Sequence, residues 1–188
     1  MPNSKLRILC FGDSLTEGYS GWGSRFTPYS TKLGEMLRMA FPDVEVEIVT
    51  DGLSGDLVTG TGSFLPRFKS HCKSAFLTRY KLHDNCLVCT RDRSLTSSYT
   101  VLPKNPADYK PFDWAIVLGG TNDLGSNIHA EQIFEGLEEI WDLALFRKCK
   151  VLALTVPEIE LSAGRMKEVL EFRRNELNDM IKSYKKPN

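Results

Sequence analysis

The chain has 188 residues, with 24 lysines and arginines balanced by 24 aspartates and glutamates. That length suits one domain with a full core, and zero net charge gives no electrostatic ground for nucleic acid or an anionic membrane as partner. The 41% apolar content is that of a soluble globular protein, and no apolar run approaches the roughly 20 residues needed to cross a bilayer.

The first residues, Met1 to Arg7, lack the apolar stretch of a secretory signal. The expectation is a cytoplasmic protein with reduced thiols, and the odd count of five cysteines also argues against a full disulfide framework. Leu6 to Phe11 reads as a strand buried on both faces. Pro28 to Ala40 reads as a helix with Tyr29, Leu33, Leu37 and Ala40 on its inner side, stopped at Phe41-Pro42. Val44 to Val49 is a second strand, running into the loop Asp51-Gly52-Leu53-Ser54-Gly55-Asp56. Lys69 to Asn105 is rich in Ser, Thr, Lys and Arg and shows neither period, so it reads as an irregular insert. Trp114 to Leu118 is a third strand, followed by Gly119-Gly120-Thr121-Asn122-Asp123. The spacing predicts a helix over about Ala130 to Phe146, with Ile133, Leu137, Ile140, Trp141 and Ala144 inward. Val151 to Val156 is a fourth strand. A last helix runs from about Arg165 to Tyr184 with Met166, Val169, Leu170, Leu177, Met180 and Ile181 inward. Strands alternating with helices imply an α/β fold, a parallel sheet covered on both faces.

Three loops therefore stand at the carboxyl ends of strands one, two and three, the edge where such sheets bind ligands. They carry Ser14, Gly55 and Asn122. This set suits acyl transfer: a serine hydroxyl attacks a carbonyl, and the Ser14 N–H, the Gly55 N–H and the Asn122 amide stabilise the oxyanion. Gly52 is an alternative donor to Gly55. Ser14 and Asn122 have a blander reading as turn or cap residues, Asp13 reads as a brace of its turn, and Asp123 as a cap of the following helix or a brace of its loop.

The blocks Gly12-Asp13-Ser14-Leu15 extended to Gly18, Asp51 to Asp56, and Gly120-Thr121-Asn122-Asp123 resemble those of the GDSL, or SGNH, hydrolase family. The resemblance runs from the N-terminus to about Pro66 and resumes from about Phe112. It implies a flavodoxin-like three-layer α/β/α fold with strand order 2-1-3-4-5, and a serine esterase or lipase-like acylhydrolase without metal or cofactor. By position it makes Ser14 the nucleophile and puts the oxyanion hole at Ser14, Gly55 and Asn122. The substrate expected is a small acyl ester.

The family's late Asp-x-x-His is not found: the histidines are His71, His83 and His129, and none sits in that pattern. The expectation is one domain over 1–188 that lacks the last edge strand and a complete base. The alternative is a truncated or non-catalytic protein of the same fold. His71 and His83 lie in the insert, where exposure is the default, and His129 reads as a surface residue at a helix start. Cys72, His83, Cys86 and Cys89 offer one Cys-x-x-Cys, short of a zinc pattern. Cys10 and Cys149 read as buried apolar residues, Trp114 and Trp141 as core, and Trp22 as a wall of the acyl or alcohol pocket. A nucleotide-binding module is disfavoured because no Gly-x-Gly-x-x-Gly is present.

Overall fold

A computed structural model describes residues 4–20, 23–60, 64–72, 111–158 and 164–185. In chain order the elements are β1 (Ser4–Gly12), α1 (Ser14–Glu17), β2 (Tyr19–Ser20), β3 (Arg25–Phe26), α2 (Tyr29–Ala40), β4 (Val44–Gly52), α3 (Phe64–His71), β5 (Trp114–Leu118), α4 (Thr121–Gly125), α5 (Ala130–Phe146), β6 (Lys150–Ala153) and α6 (Arg165–Ser183).

Strands β4, β1, β5 and β6 pair in that order, all parallel, and β2–β3 form a separate antiparallel hairpin. Among the described residues the main sheet thus has four strands, in the order of the first four strands of the expected 2-1-3-4-5 arrangement. Alternation in β1 sends Leu9 and Phe11 to one face, with Val49, Ala115 and Val117, where α3, α5 and α6 close the larger core. Ile8, Cys10 and Ile116 face the other way, onto Tyr29, Leu33 and Leu37 of α2. The result is the three-layer α/β/α arrangement.

Register positions the site. Gly12 stands beside Gly52 on one side and Leu118 on the other. The chain segments leaving β1, β4 and β5 therefore start level, on one rim.

Four expectations are corrected. Lys69 to His71 are not irregular; they finish α3, a helix absent from the sequence reading. Pro66 sits in its first turn, where a missing N–H costs nothing, and Phe64 and Phe68, one turn apart, drive it against the core. Ala40 is exposed rather than inward. In α6, Met166 and Val169 are 72% and 40% exposed, because only the later residues, Leu177 and Ile181 foremost, reach the core. Strand β6 stops at Ala153, short of Val156. Val156 is still buried, and the amide of Asn178 replaces the lost ladder: Val156 N–H donates to Asn178 Oδ1 at 2.8 Å, and Asn178 Nδ2 donates to the Val156 carbonyl at 2.9 Å. Trp22, His83, Cys86, Cys89 and residues 73–105 of the insert lie outside the described residues.

Candidate active site

Ser14 is the first residue of α1 and is half-buried. Asp13 caps that helix: its Oδ1 accepts the Leu15 N–H at 2.9 Å, and its carbonyl accepts the N–H groups of Thr16 and Glu17 at 3.1 and 3.0 Å. Gly12 must lack a side chain, since a Cβ there would lie 2.3 Å from both the Leu118 carbonyl oxygen and Thr16 Oγ1. Gly18, at φ +79°, ends the helix.

Asp13 is fully buried, and burial pushes its carboxyl up from 3.8 to about 6 against the pull of the Leu15 N–H. The folded state then holds a proton that the unfolded chain releases between those values. The group's contribution is complete below about pH 4 and is lost as pH rises through about 6, a difference of about 3 kcal/mol. Asp13→Asn keeps the capping oxygen but not the charge. It is expected to be more stable than the parent at neutral pH and to lose that advantage near pH 4. Urea midpoints at the two pH values check this; an advantage that ignores pH contradicts it.

The loop after β4 lies against α1. The Leu53 N–H continues the sheet by donating to the Gly12 carbonyl at 3.1 Å, and the Asp56 N–H closes a turn onto the Leu53 carbonyl at 3.1 Å. Gly55, third in that turn, has φ +78° and is exposed. Ser54 is bound to α1 itself: its N–H and hydroxyl both donate to Glu17 Oε2, at 2.9 and 2.5 Å.

The loop after β5 locks onto the same turn. Asn122 Nδ2 donates to the Asp56 carbonyl at 2.9 Å. Asp123, fully buried, accepts the Val58 N–H, the Thr59 N–H and the Thr59 hydroxyl at 3.0, 3.0 and 2.8 Å. Asp123 is thus the brace. Neither residue caps α4, whose cap is Gly120 at φ +110°. Ser14 and Gly55 are linked through Glu17–Ser54, and Gly55 and Asn122 through Asp56.

Beneath the rim sits a residue the sequence reading passed over. Arg67, on α3, donates to the carbonyls of Gly12 and Asp51 at 2.8 and 2.7 Å and to the carboxylates of Asp51 and Asp56 at 2.5 and 2.8 Å. Its guanidinium lies 4.2 Å from the centre of the Phe11 ring. Arg67 therefore ties the ends of β1 and β4 to the turn that holds Gly55. The only sequence signal was indirect: Asp51 and Asp56 flank a glycine turn and need a cation.

His71 is the larger correction. It is not solvent-exposed: its side chain is 11% accessible, Nε2 lies 2.6 Å from Asp51 Oδ2, and the ring meets Phe11 and Phe112 edge-on. Burial raises the Asp51 carboxyl, but the His71 hydrogen bond and the Arg67 charge outweigh it and hold that group below its ordinary value. His129 is exposed at the start of α5, where its carbonyl accepts the Ile133 N–H at 3.2 Å and its side chain makes no capping bond. Burial pushes the thiols of Cys10 and Cys72 up to about 11 and that of Cys149 to about 12, so none is a thiolate at neutral pH. Among the described residues no group of three His, Cys, Asp or Glu side chains is placed to hold a metal ion.

A model of the GDSL-like lipase/acylhydrolase family matches residues 10–188. The chain belongs to this family. No curated protein matches it. Among solved structures it is similar to a lipolytic protein of the G-D-S-L family from Veillonella parvula, at 20% identity and TM-score 0.57, covering 95% of this chain and 72% of that one. It is similar to the SGNH-hydrolase family esterase AlinE4, at 21% identity and TM-score 0.57 over 95% and 73% of the two chains. It is also similar to an acetylxylan esterase from Geobacillus stearothermophilus, at 14% identity and TM-score 0.55 over 94% and 72%. At these identities the likeness carries the fold, which is that of the GDSL acylhydrolases. Among the described residues no helix is long and apolar enough to cross a membrane.

Proposed function

We propose that this chain hydrolyses carboxylic esters of small acyl groups, with Ser14 as nucleophile. The observation that carries the reading is the Asn122–Asp56 bond. It fixes the Asn122 amide beside the turn that presents Gly55, while Glu17 fastens that same turn to the helix of Ser14. Asn122 gives one amide N–H to Asp56, and the other is left to meet an oxyanion. In the proposed reaction a histidine from outside the late Asp-x-x-His pattern takes the hydroxyl proton as Ser14 Oγ attacks the acyl carbon. The negative charge on the former carbonyl oxygen is met by the N–H groups of Ser14, Gly55 and Asn122. The alcohol then leaves with that proton, and water, giving a proton back to the same base, releases the acid and restores the Ser14 hydroxyl. The exposed rings of Tyr19 and Phe26, paired edge-on at 5.9 Å on the hairpin after α1, supply apolar surface near the substrate. We place the protein in the cytoplasm, where the free thiols of Cys10, Cys72 and Cys149 would persist.

A non-catalytic protein of the same fold is the second reading. It is favoured by the absence of an Asp-x-x-His among the three histidines and by the engagement of His71 with Asp51. Without a base, an acyl-transfer serine keeps only the roughly 10³–10⁴-fold acceleration that binding and the oxyanion hole provide. Hydrolysis of a chromogenic short-chain ester by the parent and by Ser14→Ala separates the two. The ester-hydrolase reading expects kcat/KM to fall by about 10³-fold or more in the variant. Equal rates select the non-catalytic protein.

A further inference from the structure

We propose that Glu17 is a positioning residue whose carboxylate sets the orientation of the Ser54–Gly55 peptide, and with it the direction of the Gly55 N–H. The proposal rests on the ester-hydrolase reading for its catalytic consequence, though not for its structural half.

The turn from Leu53 to Asp56 is closed by the Asp56 N–H on the Leu53 carbonyl, with positive φ at Gly55 and none at Ser54. That is a type II turn. Types I and II differ by a flip of the central peptide, and here the central peptide carries the Gly55 N–H. Glycine at this position accepts either sense, and no atom lies within 4 Å of where its Cβ would be. Residue 55 therefore does not choose its own direction. A restraint has to come from outside the turn.

Glu17 supplies it. A single carboxylate oxygen takes both the N–H and the hydroxyl of Ser54, the residue that opens the central peptide. The backbone of Glu17 is held in place. Its N–H is bonded to the Asp13 carbonyl, and Gly52 packs so closely that a Cβ there would lie 2.1 Å from Glu17 N and 2.5 Å from Glu17 Cα. Ser14 and Glu17 also belong to the same four-residue helix. The bridge therefore refers the Gly55 donor to the helix of the nucleophile, rather than to the sheet in general. Removing an oxyanion donor costs about 10²–10³ in kcat, and a donor present but turned away costs part of that.

The test uses Glu17→Ala, Glu17→Gln and Ser54→Ala with two readouts. In ¹⁵N-labelled protein, the Gly55 amide is expected to be a single sharp resonance in the parent. It should split or broaden in Glu17→Ala, return close to the parental position in Glu17→Gln, which keeps an acceptor oxygen, and shift partway in Ser54→Ala. With a short-chain ester, Glu17→Ala is expected to lower kcat by about 10–100-fold with KM within about twofold, and Glu17→Gln to recover all but about threefold. An unchanged Gly55 amide in folded Glu17→Ala overturns the proposal. So does equal impairment of the Ala and Gln variants. Should Glu17→Ala not fold, an unshifted Gly55 amide in Ser54→Ala overturns it instead. Equal rates for the parent and Ser14→Ala sink the ester-hydrolase reading, and the amide resonance still decides whether Glu17 holds the turn.

Discussion

Replacing Arg67 by methionine is expected to lower the unfolding free energy by about 3–5 kcal/mol, the cost of breaking a buried ion pair by removing one partner. The Arg67 side chain is 14% exposed, and its partners Asp51 and Asp56 are 18% and 3% exposed. Methionine keeps an apolar stem over Phe11, so packing is largely conserved and the loss reports the charge. Two carboxylates would then sit in a low-dielectric setting without their cation, and the carbonyls of Gly12 and Asp51 would each lose a donor. Urea denaturation at neutral pH, with an unchanged m-value, measures the effect. The deficit should shrink in acid, because Asp51, which the Arg67 charge helps to hold below its ordinary value, takes up a proton there. A loss under about 1 kcal/mol, which is what a solvent-exposed pair would give, contradicts the account.

Asp123→Ala is expected to cost about 2–4 kcal/mol, since it strands the buried Val58 N–H and leaves the Thr59 N–H and hydroxyl without their acceptor. The damage should centre on residues 56–59, which also hold the Asp56 carbonyl that receives Asn122. Hydrogen exchange at Val58 and Thr59 is expected to quicken more than exchange in α5, and ester turnover to fall with it. Asp123→Asn retains one acceptor oxygen and should lose about half as much. Uniform loosening across the molecule would show that the carboxylate supports the core at large and has no special hold on this loop.

Strands β1 and β5 and helix α5 were legible because each is an apolar run or stripe bounded by a clear stop; Trp114–Leu118 and Ala130–Phe146 have the bounds expected from sequence. Helix α3 was hidden because Pro66 resembles a break and the next residues carry no period, although Phe64 and Phe68 were one turn apart. In α6 the apolar stripe was real, but a stripe does not say which of its ends finds a partner, and Met166 and Val169 do not. At the site, the motifs singled out Ser14, Gly55 and Asn122, which follow the ends of β1, β4 and β5 on one rim, Ser14 opening α1, Gly55 in a turn and Asn122 in α4. The parts that join those loops were not legible. Arg67 binds backbone carbonyls and carboxylates from three separate segments, and Glu17 binds a residue 37 positions away. From sequence His71 reads as exposed, because it falls in the polar insert. Its neighbours in space are Phe11, Phe112 and Asp51.

The Asn178 amide, by offering Val156 one donor and one acceptor, imitates an adjoining strand where none is paired among the described residues. Attachment of α6 to the rest of the protein is thereby entrusted to main-chain recognition as much as to oily contact. Arg174 Nη1, one helical turn before Asn178, adds a second donor to the Val156 carbonyl at 3.1 Å, so two side chains of that helix read a single peptide unit while Leu177 and Ile181 bury its apolar face.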